Sequence, residues 1–263
     1  MTMNKTIHRD TRSTTKIFDN RTLEMDYATL LPVLKQGLWV LDIGCGTGAI
    51  SKDIARYVGS NGHVIGIDNT ETFINSGKET YKHVPNLELI HADLFEFEST
   101  QKFDLIVSAR VLQWLKNPVD AIRRMSSFLK PGGMISILDY NHEDLEWKPQ
   151  PPESMQAFYA AFLKWRADAG MNNRIADNLA AHLKELGFHS IEVLNADEVY
   201  KKGENYFIQR AGIWSAVAEL KQIVEEGYLD ESTRRKTIEE YNHWVETDAE
   251  LMVMKLKEVR GRM

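Results

Sequence analysis

The chain has 263 residues, of which 43% are hydrophobic and 27% are charged, and its formal net charge is −6. A chain of this size can bury a full core, and its acidic balance argues against a nucleic-acid partner because phosphate binding usually requires a basic excess. The single cysteine excludes an internal disulfide and zinc sites built on several thiolates, and it fits a reducing compartment. No signal peptide or long apolar stretch is visible, so we expect a cytoplasmic protein without a membrane partner or a bound metal.

Residues 1–37 are expected to form a helical lead-in that bends or ends near Pro32 and covers the core that follows. Short apolar runs then predict five buried strands, over residues 38–43, 63–68, 87–91, 103–108 and 134–139. The segments between them predict helices, over 49–58, over 71–83 and from Asn117-Pro118 to the turn Lys130-Pro-Gly-Gly133. Strands separated by helices predict a parallel sheet covered on both faces, over residues 38–140.

The remaining residues, 141–263, are expected to complete the same domain. A polar, proline-rich loop is predicted over 141–152 and a strand over 191–194. Apolar periodicity predicts four helices, over residues 154–167, 174–186, 204–224 and 231–247. The segment 251–259 fits either a helix or a closing strand by composition.

Three glycines, Gly44, Gly46 and Gly48, lie between the first predicted strand and the first helix. Small residues let the backbone turn sharply and approach a ligand, and the following helix presents unpaired N–H groups to a phosphate or a carboxylate. The loop alone is weak evidence, because many tight turns contain glycine.

Acidic residues accompany this loop at the strand ends. Asp42 precedes the loop, Asp68 ends the second strand and Asp93 follows the third. A carboxylate at the position of Asp68 can accept both hydroxyls of a ribose, and a group at Asp93 can accept from an adenine amino group. Ser108 ends the fourth strand and would lie beside the cofactor. Each residue alone has a simpler interpretation as a cap or turn residue, but the combination predicts a cofactor site.

These stretches resemble the class I S-adenosylmethionine-dependent methyltransferases, in the family's order and spacing. The matching segments are residues 40–48, 64–68, 91–93, 103–108 and 129–133. The resemblance implies an α/β fold with a doubly wound, seven-stranded, mostly parallel, Rossmann-like sheet whose last strand is antiparallel. It therefore favours a strand at 251–259, with residues 203–247 inserted before it. Two helical insertions in the C-terminal half are expected to form a lid that excludes water.

The resemblance also implies S-adenosylmethionine as the cofactor, with the glycine loop at its methionine part, Asp68 at the ribose and Asp93 at the adenine. The implied cofactor-binding residues are Asp42, Gly44, Cys45, Gly46, Gly48, Asp68, Asn69, Asp93, Leu94 and Ser108. The segment 108–115 looks like that of the small-molecule branch, the ubiquinone- and antibiotic-type enzymes, and the Asn-Pro-Pro-Tyr signature of nucleic-acid enzymes is absent there. This implies direct in-line methyl transfer to a small-molecule acceptor.

Arg110, Gln113 and Trp114 follow the fourth strand and are candidates to line the acceptor site, although inward packing of the same segment explains them equally well. His142 is a candidate general base, but a lone histidine without a visible partner is more simply a polar loop residue. An aromatic cover is predicted from Phe158, Tyr159, Phe162, Trp165, Phe207 and Trp214, most of them also expected in the core. Arg21 and Tyr27 of the lead-in are expected to fold over the cofactor, although the apolar body of Tyr27 fits a core equally well.

Two other functions stay open. An NAD-dependent oxidoreductase shares the strand–loop–helix unit and the ribose acid, but the glycines run Gly-x-Gly-x-Gly rather than Gly-x-Gly-x-x-Gly, and Asp42 would repel a pyrophosphate. A non-catalytic S-adenosylmethionine-binding protein is compatible with every feature of the sequence. A monomer and a homodimer are equally compatible with it.

Overall fold

The computed structural model describes residues 21–263. Their eight strands are β1 (Trp39–Ile43), β2 (His63–Asp68), β3 (Leu87–His91), β4 (Phe103–Ala109), β5 (Leu129–Lys148), β6 (His189–Asn195), β7 (Glu198–Lys201) and β8 (Leu251–Arg262). All eight belong to one sheet in the order β3-β2-β1-β4-β5-β8-β6, and β7 pairs with β8 beside this path.

Ten α-helices accompany the strands in the described residues. They are α1 (Leu23–Asp26), α2 (Ala49–Val58), α3 (Glu71–Tyr81), α4 (Pro118–Ser126), α5 (Glu153–Asp168), α6 (Ile175–Glu185), α7 (Phe207–Ala211), α8 (Ile213–Ala218), α9 (Gln222–Glu225) and α10 (Glu231–Thr247). Two 3₁₀ turns, Ala28–Val33 and Leu112–Trp114, precede β1 and follow β4. No helix of residues 21–263 is long and apolar enough to cross a membrane.

The predicted α/β class and Rossmann-like sheet are confirmed. Strands β1 to β5 pair in parallel, because a helix or loop returns the chain between them, and β8 runs antiparallel to β5. The predicted strand number of seven was too low by one. The extra strand is β7, whose alternating half-buried residues give little apolar signal.

Register places the ends of the central strands at one edge of the sheet. Ile43 of β1 pairs with Ile67 of β2 and with Ser108 of β4, and Ala109 pairs with Leu138 of β5. Residues that follow these positions therefore meet at the same edge, where parallel α/β sheets bind their ligands.

The two faces of the sheet are covered by separate apolar clusters. One cluster packs α1, α2 and the C-terminal helices against the face that carries Val40, Leu105 and Leu138. The other packs α4 and α6 against the face that carries Leu41, Ile106 and Ile137. The sheet is thus buried on both sides, as its continuous apolar strands require.

Three sequence predictions were wrong in detail. Strand β5 runs from Leu129 to Lys148, so 130–133 lies within a strand rather than ending a helix, and most of the predicted loop 141–152 is strand. A register shift between Asn141 and Glu146 lets polar residues continue the pairing with β8. The helix predicted over 204–224 is three short helices, α7 to α9.

The lead-in helix was also overestimated. Residues 1–20 of the predicted segment lie outside the described residues, and the rest forms only α1 and a 3₁₀ turn that contains Pro32. Segment 251–259 is a strand, as the resemblance implied, since β8 spans Leu251–Arg262.

Candidate active site

The loop between β1 and α2 turns at glycines with left-handed backbone. Gly44, Gly46 and Gly48 have φ angles of +71°, +59° and +82°. A Cβ atom at Gly44 would lie only 2.3 Å from Cγ2 of Val111, so the loop packs tightly on the segment after β4. Glycine is therefore required here both for backbone conformation and for space.

Asp68 ties this loop to the end of β2. The backbone N–H of Gly46 donates to Asp68 Oδ2 at 3.0 Å, and the N–H of Thr70 donates to Asp68 Oδ1 at 2.8 Å. The carboxylate is held rigidly beside the loop. Its remaining lone pairs are available to a ligand, because an ionised carboxylate has about four acceptor positions.

Asp42 is the second carboxylate at the loop, and it precedes the loop in the chain. It is 4% exposed and accepts a 2.5 Å hydrogen bond from Ser51 Oγ. Burial, followed by the charge of Asp68, raises the pKa of Asp42 to about 6, against the effect of the Ser51 hydroxyl. No ion pair within residues 21–263 involves Asp42 or Asp68, so a cationic ligand would stabilise the charged site.

Thr47 supplies an independent sign that the loop binds a ligand. Its Oγ1 is buried and finds no hydrogen-bond partner among the described residues. A buried hydroxyl without a partner is costly, so Thr47 is a candidate to bind a polar group of a ligand. The loop packs closely on α3 at this point, because a Cβ atom at Gly77 would lie only 2.1 Å from the Thr47 carbonyl oxygen.

The other predicted cofactor residues lie at the ends of the neighbouring strands, and their environments differ. Ser108 donates its hydroxyl to the Ile43 carbonyl oxygen at 3.3 Å, which joins β4 to β1 beneath the loop. Asp93 Oδ1 accepts from the N–H of Phe95 at 2.8 Å and so caps a turn after β3. Leu94 is buried in the apolar cluster, and Asn69 is exposed at the end of β2.

Cys45 lies within the glycine loop, close to the two carboxylates. Burial, and then the negative charges of Asp42 and Asp68, raise the pKa of the Cys45 thiol well above its usual range. The thiolate is the nucleophilic form of cysteine, so this residue is suited to packing rather than to attack on a substrate.

Of the predicted acceptor residues, Gln113 and His142 meet directly. His142 Nε2 and Gln113 Oε1 are 2.6 Å apart, and Gln113 Nε2 donates to the Arg110 carbonyl oxygen at 3.1 Å. His142 is buried on β5 and is not a loop residue, so the simpler interpretation of it was wrong. Burial, and then the positive charge of Arg166, lower the pKa of His142 well below its usual value, which keeps the ring neutral at pH 7.

Aromatic rings surround His142, and two of them, Phe162 and Trp214, belong to the residues from which an aromatic cover was predicted. The ring of Tyr140 stacks on it at 5.0 Å, while Phe162 and Trp214 meet it edge-on at 5.8 and 6.1 Å. Tyr159 donates its hydroxyl to the His142 carbonyl oxygen at 2.5 Å. Helices α5 and α8 therefore form an apolar wall at this end of the sheet.

Asp139 and Arg166 were missed by the sequence analysis. Arg166 is fully buried, donates to the Gln113 carbonyl oxygen at 2.8 Å and lies 4.7 Å from the ring of Trp114. Burial raises the pKa of Asp139 to about 6, and its Oδ2 accepts from the Gln113 N–H at 3.1 Å. A signal existed for Arg166, which continues the apolar stripe of Phe158 and Phe162 with helical spacing.

A group of charged residues lies between α1, β4, β7 and α7, and we call it the charged cluster. Its members are Arg21, Asp26, Arg110, Glu198 and Arg210. Arg110 pairs with Glu198, and Arg210 pairs with Asp26. Tyr27 does not share this position, because its hydroxyl bonds Ser136 Oγ at 2.8 Å within the core. Of the two interpretations of Tyr27, the structure therefore shows the core position, and a cofactor contact of Arg21 stays a prediction.

Two open cavities occur elsewhere on the described surface. One of about 370 Å³ lies at the opposite edge of the sheet, near Leu38, Asp104 and Lys130. Another of about 210 Å³ lies between β5, β8 and α6 and is lined by Asn141 and Asp177. Neither contains the glycine loop or the residues around His142.

The family profile described as methyltransferase domain matches residues 34–227, which include the glycine loop and the residues around His142. The chain belongs to this family. The membership confirms the resemblance inferred from the motifs and the class of enzyme that it implied.

Curated relatives of this methyltransferase-domain protein include two staphylococcal demethylmenaquinone methyltransferases. That of Staphylococcus aureus (strain MRSA252) is 33% identical over 132 residues, which cover 49% of this chain and 53% of the relative. That of Staphylococcus carnosus (strain TM300) is 28% identical over 172 residues, which cover 61% of this chain and 71% of the relative. The chain thus spans about half of the first relative's length and about seven tenths of the second's.

Solved structures share the fold of this methyltransferase-domain protein at low sequence identity. Haemonchus contortus phosphoethanolamine N-methyltransferase 2, solved with phosphomonomethylethanolamine and S-adenosylhomocysteine, has a TM-score of 0.56 at 18% identity over 89% of this chain and 51% of that one. The YjhP protein of E. coli has a TM-score of 0.56 at 19% identity over 94% of this chain and 98% of that one. These similarities establish the fold.

Proposed function

We propose that this chain transfers the methyl group of S-adenosylmethionine to a small-molecule acceptor by direct in-line displacement. The observation that carries the proposal is the pair of buried carboxylates, Asp42 and Asp68, at a glycine loop where Thr47 Oγ1 lacks a partner among residues 21–263. The sulfonium and amino groups of this cofactor are cationic, so they complement the negative site. A pyrophosphate, which an NAD-dependent oxidoreductase would bind, would be repelled by Asp42.

Each cofactor contact follows from the position of a side chain. Asp68 is proposed to accept the ribose hydroxyls with the lone pairs that Gly46 and Thr70 leave available. Asp42 is proposed to face the amino group, and Thr47 to meet the carboxylate beside the N-terminus of α2. Asp93 is proposed to lie at the adenine.

The remaining predicted residues are proposed to shape the site. Gly44, Cys45, Gly48 and Ser108 hold the loop against β4. Asn69 and Leu94 flank the adenine region beyond β2 and β3, the first exposed and the second buried.

When bound, S-adenosylmethionine supplies a methyl group that is already activated by the positive sulfur. The chain's own residues then need to align the acceptor and exclude water. The wall formed by Tyr140, Phe162 and Trp214 around His142 excludes water at this end of the sheet. His142 is neutral and is proposed to take the proton that the acceptor loses.

The acceptor is proposed to be a small molecule, with no nucleic acid involved. The curated relatives are named for demethylmenaquinone, but their alignments leave at least 39% of this chain unmatched. We extend the proposal to a cytoplasmic location, on the basis of the single cysteine of the chain, and to a protein that acts as a monomer or a homodimer.

Titration calorimetry with S-adenosylhomocysteine, S-adenosylmethionine and NAD tests the cofactor. We expect the first two to bind and NAD not to bind, and we expect Asp68→Asn to weaken binding by at least about tenfold, the loss of one charge-assisted hydrogen bond. Asp104→Asn is the matched control, because Asp104 is an ion-paired carboxylate at the opposite edge of the sheet. Binding of NAD alone would refute the proposal.

The test of methyl transfer uses a panel of small-molecule acceptors and S-adenosylmethionine labelled on the methyl carbon. Labelled product from any small molecule supports the proposed reaction. Cofactor binding without label transfer to any member of a broad panel would favour the non-catalytic alternative.

A further inference from the structure

Trp214 of α8 lies among the aromatic rings around His142, and its polar atom has no hydrogen-bond partner. Its ring meets the rings of Tyr159, Phe162 and His142 edge-on, at centroid distances of 4.8, 5.6 and 6.1 Å. The residue is 2% exposed, and its Nε1 is buried without a partner among residues 21–263. A buried indole N–H usually has a partner, because leaving that hydrogen bond unmade is costly. This donor is therefore available to a ligand.

His142 contributes the complementary atom, a lone pair. The hydrogen bond of its ring within residues 21–263 joins Nε2 to Gln113 Oε1 at 2.6 Å. Gln113 Nε2 donates to the Arg110 carbonyl oxygen, so the amide oxygen is the atom that faces the imidazole, and Nε2 of His142 carries the ring hydrogen. Burial, and then the charge of Arg166, lower the pKa of His142 and keep the ring neutral. Nδ1 therefore keeps an electron pair that can accept a hydrogen bond.

The two rings lie close enough for one ligand atom to bond both nitrogens. Two hydrogen bonds to a shared oxygen can join nitrogens up to about 6 Å apart, and the ring centroids are separated by 6.1 Å. Trp244 shows that an indole alone makes no site. Its Nε1 is also buried without a partner among residues 21–263, but its ring stacks on Tyr241. The donor of Trp214 differs because an acceptor atom of the proposed base lies beside it.

The chemistry of methyl transfer selects the atom that this pair can hold. The atom must accept from Trp214, donate to His142 and still have an electron pair for attack on the methyl group. A hydroxyl oxygen has one hydrogen and two lone pairs, so it meets all three requirements. A neutral amine has a single lone pair, which the attack uses, and a carbon nucleophile accepts no such hydrogen bond.

We propose that Trp214 binds the methyl acceptor, and that the acceptor is an uncharged hydroxyl compound with an apolar ring, methylated on oxygen. The inference rests on the proposed function, because it names the class of acceptor for that same site. The apolar ring is matched by the rings of Tyr140 and Phe162. In the step, a carbon–oxygen bond forms as the carbon–sulfur bond of the donor breaks and leaves its electron pair on sulfur. The hydroxyl proton moves to Nδ1 of His142.

Phenol, anisole and toluene are the binding probes, titrated into the protein saturated with S-adenosylhomocysteine and followed by ligand-observed NMR. Phenol can donate and accept a hydrogen bond, anisole can only accept one, and toluene can do neither. We expect phenol to bind about tenfold or more tightly than toluene, the ratio given by two modest hydrogen bonds, with anisole between them. Trp214→Phe should make anisole and toluene bind equally. Trp244→Phe is the matched control and should leave all three affinities unchanged.

The indole N–H signals of the protein give a second measurement. The Trp214 signal is identified by its loss in Trp214→Phe, and it should move downfield with phenol and with anisole but not with toluene. If Trp214→Phe fails to fold, substitution of the other five tryptophans one at a time assigns the signal by elimination, and its shift decides. In the labelled-transfer experiment, the carbon chemical shift of the transferred methyl group should be that of an ether.

Several results would overturn the inference. They are equal binding of phenol and toluene, a Trp214 indole signal that phenol leaves unshifted, a difference between anisole and toluene that persists in Trp214→Phe, and a product methylated on nitrogen or carbon. An unshifted indole signal would mean that the N–H of Trp214 is satisfied by the faces of its neighbouring rings. Absence of S-adenosylhomocysteine binding would instead refute the proposed function, so the two failures are distinguishable.

Discussion

Gln113 and His142 are joined by a hydrogen bond of 2.6 Å between Gln113 Oε1 and His142 Nε2. The amide is oriented by its other end, where Nε2 donates to the Arg110 carbonyl oxygen. Gln113 therefore presents its oxygen to the imidazole, so Nε2 of His142 carries the hydrogen and Nδ1 keeps the lone pair. The position of the proposed base is thus fixed by a residue 29 positions away in the chain.

The Gln113→Glu variant tests this tautomer. A carboxylate facing the Nε2 hydrogen should raise the pKa of His142 by about 1–3 units, because it favours the charged imidazolium. We expect the wild-type ring to titrate well below pH 6.5, in the direction set by burial and Arg166. NMR of the imidazole signals over a pH series measures both values, with the exposed His243 as an internal reference. An unchanged His142 pKa in the variant would contradict the assignment.

Asp42→Asn should stabilise the folded protein and weaken its binding of the cofactor. The pKa of Asp42 is raised to about 6 in the folded chain, so the folded state disfavours the charged form. The charged Asp42 therefore lowers the free energy of unfolding, and this effect grows as the pH rises from about 4 to about 6 and is constant above pH 6. Above pH 6, Asp42→Asn should raise the free energy of unfolding by about 2–3 kcal/mol. The gain should therefore vanish below about pH 4, where Asp42 is protonated in both states.

Urea unfolding of the two proteins at acidic and neutral pH measures this difference, and calorimetry measures the affinity for S-adenosylmethionine. Ser51→Ala is the matched control, because it removes the hydrogen bond but keeps the charge. Equal stability of wild type and Asp42→Asn at pH 7.5 would argue against a buried, charged Asp42.

Gly44→Ala should abolish cofactor binding for two reasons, because it strains the backbone of the loop and because its new Cβ atom clashes with Val111. The new Cβ would lie 2.3 Å from Val111 Cγ2, in a left-handed conformation that costs roughly 1 kcal/mol for alanine. Val111→Ala added to Gly44→Ala should restore part of the binding, since it removes the clash but not the backbone strain. Gly132→Ala is the control, because Gly132 has φ +76° with no atom within 4 Å of a new Cβ. Calorimetry with S-adenosylhomocysteine compares the four proteins, and normal binding by Gly44→Ala would contradict the tight loop.

Glu258→Gln should be strongly destabilising without a direct effect on the site. Glu258 is fully buried, accepts 2.5 Å hydrogen bonds from Ser136 Oγ and Arg260 Nε, and so helps to hold the 3₁₀ turn through the bond from Arg260 to Thr29. Breaking a buried pair costs about 3–5 kcal/mol, because one charge is left uncompensated.

Urea unfolding of Glu258→Gln, Arg260→Gln and the double variant forms a double-mutant cycle. We expect the double variant to lose less stability than the sum of the single variants. Glu192→Gln is the control, since Glu192 is exposed and lies 3.7 Å from the same arginine. Additive losses would show that Glu258 and Arg260 act independently.

The cofactor side of the site could be predicted from local sequence. A glycine loop between a strand and a helix, and carboxylates at successive strand ends, are set within a few residues of each other. Parallel pairing of β1 with β2 then aligns those strand ends at one edge of the sheet. Asp42 and Asp68 therefore meet at the loop independently of contacts with the rest of the chain.

The acceptor side was decided only by tertiary structure. His142 looked like a loop residue because Asn141-His142-Glu143 is polar, yet pairing with β8 extends β5 through it. The charged cluster joins residues from 21 to 210, and a buried charge becomes favourable only when distant partners meet it. Sequence by itself thus determined the fold and the proposed site for the methyl donor. Long-range packing alone decided which cations and rings surround the proposed acceptor site, because no local pattern records contacts between distant segments.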